Sequence, residues 1–380
     1  MIYADFNSSS YPHPKVLEYM RERLNQEVFA NPNSIHSLGQ KVLKAIEISR
    51  KMCAEILDCK PGQIIFNSGA SEGISQVFFS VLKNAKKPLT ILGSQIEHSA
   101  VVENLRLADE AGHNVLYINT LENGQIDLTH FEQLVKENDV DFVTVMAANN
   151  ETGVIQPIER VSQVCQENNI LFFSDTTQYI GKHQFSFKES GMDFAVLSSH
   201  KVGSLIGSGA LLVKDPQSLN CFIHGGGQEN GLRGGTQNYL GIEALGYAMK
   251  LFEESIPSLE SLKQMKLSFE HNLKSKYDAL KIVGEGAPRL AGTSLIGFSG
   301  LHGQVIQIEL ESRDIFVSTS SACSDNEPNT SKVLKAMKVS DQLGRSVTRL
   351  SFCCSTKQGE FDHLQKSLID VYNKLSKVKY

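Results

Sequence analysis

The chain has 380 residues, with 37 basic against 42 acidic side chains, a formal net charge of −5 and an apolar fraction of 41%. So mild an acidic balance opposes a broad basic surface for nucleic acid, and no uninterrupted apolar stretch approaches the roughly 20 residues of a membrane helix. The seven cysteines form no C-x-x-C pair and no Cys/His zinc spacing, so they read as free thiols of a reducing compartment, with no metal site expected. The opening MIYADFNSSS lacks the charged-then-apolar order of a signal peptide, and a cytoplasmic location is expected. At roughly 150 residues per domain, the length suggests two or three domains.

Between about residues 60 and 215, short apolar runs alternate with helical patterns. Ile64-Ile65-Phe66 leads through a Ser/Gly turn into a helical face from Ile74 to Leu82. Thr90-Ile91-Leu92 precedes Val101, Leu105 and Ala108 on one helical face, closed by Gly112. Further strands are expected at 115–118, 142–148, 170–174, 194–198 and 210–213, with Leu128, Phe131, Leu134 and Val135 at helix spacing. This alternation predicts an α/β fold with a mainly parallel sheet covered by helices on both faces. Ligands in such sheets bind at the carboxyl ends of the strands.

After about residue 250 the texture changes. A helical pattern (Leu259, Leu262, Phe269, Leu273) is followed by strand-like runs at 293–298, 315–318 and 347–352. A final helix carries Phe361, Leu364, Leu368 and Tyr372. The expected division is a large α/β domain over residues 15–250 and a smaller α+β domain over 251–380, joined by residues 1–14. The charged stretch 41–50 reads as a solvated helix face.

The loops after the strands carry the chemistry. Ser68-Gly69-Ala70-Ser71 opens a helix whose unpaired N–H groups and positive dipole end suit a phosphate, although a plain N-cap explains the turn as well. The strand LFFS ends in Asp175, with Gln178 beyond, and FAVLSS ends in Ser198-Ser199-His200-Lys201. Together these point to pyridoxal 5′-phosphate. That cofactor needs an amine for its aldehyde (Lys201), a carboxylate for its ring nitrogen (Asp175) and donors for its phosphate (Ser198, His200); Gln178 suits its ring hydroxyl. His98 stands between strand and helix, where an imidazole can stack on a pyridine ring or simply bond the helix start. Asn150, in the turn 148–153, suits a cofactor oxygen or a substrate carboxylate.

At these residues the chain resembles the cysteine desulfurases, pyridoxal-phosphate enzymes of the class V aminotransferase group. The matching segments recur in order: NPNSIHSLG at 31–39, SGASEG at 68–73, EHSAV at 97–101 and NNETGVIQPI at 149–158. They continue with SDTTQYIGK at 174–182, SSHK at 198–201, GGGQENGLRGGT at 225–236, SSACSDNEP at 320–328 and TRLSF at 348–352. The resemblance implies fold type I of the pyridoxal-phosphate transferases, conversion of L-cysteine to L-alanine, and a persulfide on Cys323 passed to an acceptor protein. It implies Lys201 as the cofactor lysine, Asp175 as the ring-nitrogen partner and His98 as the stacking acid/base. Ala70, Ser71, Ser198 and His200 would hold the phosphate, and Asn150 and Gln178 the cofactor or substrate. Thr236 would reach the phosphate of the other subunit of a homodimer. Arg349 would hold the substrate carboxylate with its planar fork, and its strand neighbours Leu350 and Phe352 would face the other way.

Cys323 differs from Cys53 and Cys165, which read as small buried hydrophobes, because its neighbours are small or polar. As a nucleophile it needs a thiol pKa below the free value of about 8.5. The chain departs from the family pattern at Phe6-Asn7-Ser8-Ser9-Ser10, where an Ala-Ala-Thr-Thr run is usual. It departs again at Ser199, Asn230 and Cys354. The alternative readings are a selenocysteine lyase or another class V lyase or aminotransferase, and a non-catalytic sulfur-transfer scaffold. Cys323 in a long loop argues against the first, and intact Lys201, Asp175 and His98 against the second.

Overall fold

The structure is a computed structural model that describes residues 1–319 and 330–377. Cys323 falls in 320–329, outside the described residues. Seven strands form the main sheet, in the order Ile64–Asn67, Gly209–Val213, Phe194–Ser198, Leu171–Asp175, Phe142–Thr144, Thr90–Ser94, Asn114–Ile118. The four pairings from Phe194–Ser198 outward to Asn114–Ile118 are parallel, and Gly209–Val213 runs antiparallel to both of its neighbours. The sheet is therefore mainly parallel, and its central strands are apolar on both faces, as burial on both sides requires.

Successive side chains go to opposite faces. Ile65, Ile91, Phe173 and Val196 pack under the helices Ala70–Asn84 and Ser99–Glu110. Ile64, Leu92, Phe172 and Leu197 pack with the helices Ser37–Ile56, Ile158–Glu167 and Tyr239–Ser255. The strand expected over 142–148 ends at Thr144. Beyond it Val145 and Ala147 still donate to the carbonyls of Phe173 and Asp175, so the chain stays against its neighbour before turning.

A second core surrounds a three-stranded antiparallel sheet, Val347–Ser351, Thr293–Phe298 and Leu280–Val283. The helices Ser258–Lys274, Gly303–Glu311 and Gln358–Leu375 cover it through Phe269, Ile306, Phe361 and Tyr372. Ile2–Tyr3 pairs in parallel with Ile315–Phe316, and Asp5 bridges to Ser351. The chain then crosses to the first core, where Ser10 N–H donates to His200 O and His13 N–H to Gly203 O, both at 2.8 Å. This N-terminal crossing brings strand ends of both sheets to one place.

One expectation is corrected. The stretch 41–50 is not all solvated: Arg50 is buried and donates to Glu229 at 2.8 and 2.9 Å and to Ile64 O at 2.7 Å. Charge alone does not report a partner that lies far along the chain. No helix among the described residues is long and apolar enough to cross a membrane.

Candidate active site

The strand Ile64–Asn67 feeds a tight turn into the helix Ala70–Asn84, whose N-cap, Gly69, has φ +151° and no side-chain cap. A Cβ at Gly69 would sit 3.2 Å from Ser198 Oγ, and that hydroxyl accepts the Ala70 N–H at 2.8 Å. Ala70, Ser71 and Ser198 thus meet at the positive end of a 15-residue helix. Glu72, which would repel an anion there, is turned to Arg233 at 2.9 Å. Burial opposes its ionisation, but hydrogen bonds from Arg233 and Ser68 outweigh burial and lower its pKa. Asn67 Nδ2 is buried beside this turn with no acceptor among the described residues.

Asp175, 4% exposed, ends the strand beside Phe194–Ser198. Its Oδ1 accepts the Thr177 N–H at 3.0 Å, and no described side chain forms an ion pair with it. A buried carboxylate without a cation is costly, and a protonated ring nitrogen is the partner it lacks. Behind it lies Glu97, whose Oε1 accepts from Ser94 Oγ at 2.6 Å and Met146 N–H at 2.7 Å. Its Oε2 is buried without a partner among the described residues. Burial, with the nearby Asp175 charge adding, pushes the Glu97 carboxyl up to about 8. His98 is the exposed N-cap of Ser99–Glu110, and its Nδ1 accepts the Ala100 N–H at 3.1 Å. In the neutral ring Nε2 therefore carries the proton.

Lys201 closes the short turn Ser199–Lys201 that follows the strand Phe194–Ser198. Its Nζ donates to Asn7 O at 2.7 Å and Ser8 O at 2.5 Å. His200 Nδ1 lies 3.2 Å from Ser9 Oγ. Burial, then Lys201 and Lys182, push the His200 imidazole down to about 4. Gln178 Nε2 donates to Asn7 O at 2.9 Å.

Arg349 arrives from the other sheet, with Thr348 and Leu350 buried on the alternate face. It is only 7% exposed. Its Nη1 donates to Asn150 O at 3.0 Å, and its Nη2 to Asp5 Oδ1 at 2.8 Å and to Ser8 Oγ. Nε is buried with no acceptor among the described residues, a donor that an incoming carboxylate oxygen would satisfy. Asn150 meets Arg349 through its carbonyl. The turn itself is held by Asn149, whose Oδ1 accepts from Glu151 N–H and Thr152 N–H at 2.9 and 3.0 Å.

Thr236 stands apart: it is exposed and hydrogen-bonds none of these residues within its own chain. Its loop is anchored through Glu229, which accepts from Arg50 and Phe66 N–H, and Glu229 and Asn230 both take left-handed conformations at φ 49° and 56°. Cys53 and Cys165 are buried, and desolvation pushes both thiols up to about 12. A cavity of about 580 Å³ lies against the N-terminal crossing, with Phe6, Tyr11, Lys182, Lys201, Cys353 and Cys354 on its wall.

Four residues of this centre were not assigned a part from the sequence: Asp5, Asn7, Glu97 and Lys182. Glu97 and Lys182 sit inside matched segments, and Asn7 inside the departing one, but no spacing rule links any of them to its partners.

The family model for aminotransferase class-V matches residues 2–364. Cysteine desulfurase IscS of Clostridium botulinum is 30% identical over 371 residues, covering 97% of this chain and 93% of its own length. The chain belongs to the cysteine desulfurase family of class-V aminotransferases. Another member, cysteine desulfurase 2 of Trichormus variabilis, is 31% identical over 99% of this chain and 94% of its own. Among solved structures, a NifS-like protein superposes with a TM-score of 0.90 at 31% identity, covering 99% of this chain and 100% of that one. SspA, solved in complex with cysteine, gives 0.81 at 29%, covering 93% and 99%. Enzymes of this family use pyridoxal 5′-phosphate. The glycine-lined helix start, the buried Asp175, which has no ion-pair partner among the described residues, and the Lys201 amine fit the phosphate, ring nitrogen and aldehyde of such a cofactor.

Proposed function

We propose that this family member is a pyridoxal 5′-phosphate-dependent cysteine desulfurase, which converts L-cysteine to L-alanine and leaves the sulfur as a persulfide on Cys323 for an acceptor protein. One observation carries the reading: Lys201 and Arg349 both bond Ser8, the first at its carbonyl and the second at its hydroxyl. An amine and a guanidinium that meet on one residue match the two ends of an α-amino acid, with its amino group exchanged against Lys201 and its carboxylate on Arg349.

The bound cofactor supplies an electron sink for charge at Cα. Ala70, Ser71, Ser198 and His200 hold its phosphate, Asp175 keeps its ring nitrogen protonated, and Gln178 bonds its ring hydroxyl. Lys201 Nζ, once exchanged, carries the Cα proton. His98 covers the ring and, once its Nδ1 leaves the Ala100 N–H, takes the proton of the substrate thiol; Asn150 supports Arg349 at the substrate. The Cys323 thiolate attacks the substrate sulfur, so an S–S bond forms as the Cβ–S bond breaks. The electron pair stays with Cβ, which is protonated to give alanine. Thr236, exposed in its own chain, is assigned to the phosphate of a second copy in a homodimer.

The test is direct. Purified protein given pyridoxal 5′-phosphate, L-cysteine and a thiol reductant should release alanine and sulfide in equal amounts. Alanine formation no faster than in the protein-free control overturns the reading.

A further inference from the structure

The polar centre between Lys201 and Arg349 contains a second amine that the reaction above leaves unused. Lys182 Nζ donates to Asn7 Oδ1 at 2.7 Å and to Gln178 Oε1. Both acceptors are amide oxygens. An amide whose oxygen is held has its nitrogen fixed on the other side. Asn7 accordingly sends Nδ2 to Asn150 O at 3.2 Å and Thr293 Oγ1 at 3.1 Å, and Gln178 sends Nε2 to Asn7 O at 2.9 Å. Asn7 is 2% exposed, and its carbonyl also takes the Lys201 amine.

No described carboxylate forms an ion pair with Lys182. The charged or titratable groups around it are Lys201 and His200 from the turn after Phe194–Ser198, Arg349 and Cys353 from the second sheet and the turn beyond it, and Asp5 from the N-terminal crossing. Burial, Lys201 and Arg349 hold its amine well below the ordinary lysine value, against the weaker pull of Asp5 and Cys353. Those two amide oxygens are its side-chain acceptors among the described residues. Turning either amide would set an NH2 group against the amine and lose that acceptor.

We propose that Lys182 is a positioning residue: by holding the amide oxygens of Gln178 and Asn7, it aims Gln178's second Nε2 hydrogen at the cofactor's ring hydroxyl and sets the Asn7 carbonyl against Lys201. This deepens the reading above and rests on it. A donor at the ring oxygen favours its ionised form, so loss of that donor raises the pH at which the bound cofactor changes its absorbance.

The test is a double-mutant cycle on protein loaded with pyridoxal 5′-phosphate. Wild type, Lys182→Met, Gln178→Ala and the double variant are titrated by absorbance against pH, and cofactor retention is measured by equilibrium dialysis. Lys182→Met should move the midpoint up by about one pH unit and weaken retention about tenfold. Both changes should vanish in the Gln178→Ala background, where no amide is left to orient. Lys182→Arg, which keeps its donors, should recover part of the shift. A wild-type midpoint in Lys182→Met, or shifts that simply add in the double variant, overturns the proposal. Should Lys182→Met melt below the working temperature, Lys182→Gln carries the same cycle under the same criteria. Wild-type protein that takes up no cofactor overturns the underlying reading, and the proposal with it.

Discussion

Arg349 is paired with Asp5: Nη2 lies 2.8 Å from Oδ1, with the two side chains 9% and 15% exposed. The guanidinium assigned to the substrate carboxylate therefore already faces a carboxylate of its own chain. An incoming anion meets a partly neutralised cation. Asp5→Asn keeps an acceptor oxygen and removes the opposing charge. Thermal stability should fall, by up to the roughly 3–5 kcal/mol of a broken buried pair. The KM for L-cysteine should fall several-fold, with kcat less affected. Steady-state kinetics with a melting curve check both, and a raised KM would contradict the charge argument.

Glu97 makes stability depend on pH in a predictable direction. Its carboxyl is raised by burial from the usual carboxylate range up to about 8. The folded protein therefore binds this proton more tightly than the unfolded chain. The stabilisation is complete below the unfolded value near 4.5 and is lost as pH rises through about 8. Glu151, pushed up to about 7 chiefly by burial, acts in the same sense. Cofactor-free wild type should lose a few kcal/mol between pH 5 and pH 8. Glu97→Gln, which cannot ionise, should flatten much of that slope in denaturant melts. An unchanged slope would show that Glu97 is ionised in the folded protein.

Glu229 ties the glycine-rich segment to the strand that leads into the turn proposed to hold the phosphate. Its carboxylate accepts from Arg50 at 2.8 and 2.9 Å and from Phe66 N–H at 3.0 Å. Phe66 lies on the strand that leads into Gly69. Glu229→Ala leaves the buried Arg50 with Glu47 and the Ile64 carbonyl alone and should cost up to about 3–5 kcal/mol of stability. It should also loosen cofactor retention, because the turn loses its anchor. Calorimetry and dialysis read the two effects separately.

Cys323→Ser separates cofactor binding from sulfur transfer. The variant should take up pyridoxal 5′-phosphate as wild type does. With L-cysteine it should form no persulfide and little alanine. Mass spectrometry of the intact protein after substrate addition checks this, and wild-type sulfur release would remove Cys323 from its role.

The sheet is readable from sequence because strands such as Phe194–Ser198 and Gly209–Val213 are apolar on both faces, a pattern that cover by helices on both sides demands. Lys201 and Asp175 draw attention in the sequence because Asp175 ends a strand and Lys201 lies three residues beyond one, where ligands of such sheets bind. Asn7 is not. Its importance comes from partners 143 to 344 positions away, from Asn150 to Ser351, and from a crossing of the N-terminal segment that has no periodicity of its own. Lys182 is hidden for a related reason. A lysine in a polar turn reads as solvated, and only the folded chain reveals the two amides that hold it. Arg50 shows the same failure within a helix.

Lys201 and Lys182 share Asn7 as an acceptor, each at 2.7 Å, so the amine that holds the cofactor must be identified by experiment. Protein loaded with pyridoxal 5′-phosphate is reduced with borohydride, digested, and the modified lysine located by mass spectrometry. The adduct should sit on Lys201 alone. An adduct on Lys182, or no adduct on either lysine, would contradict the account.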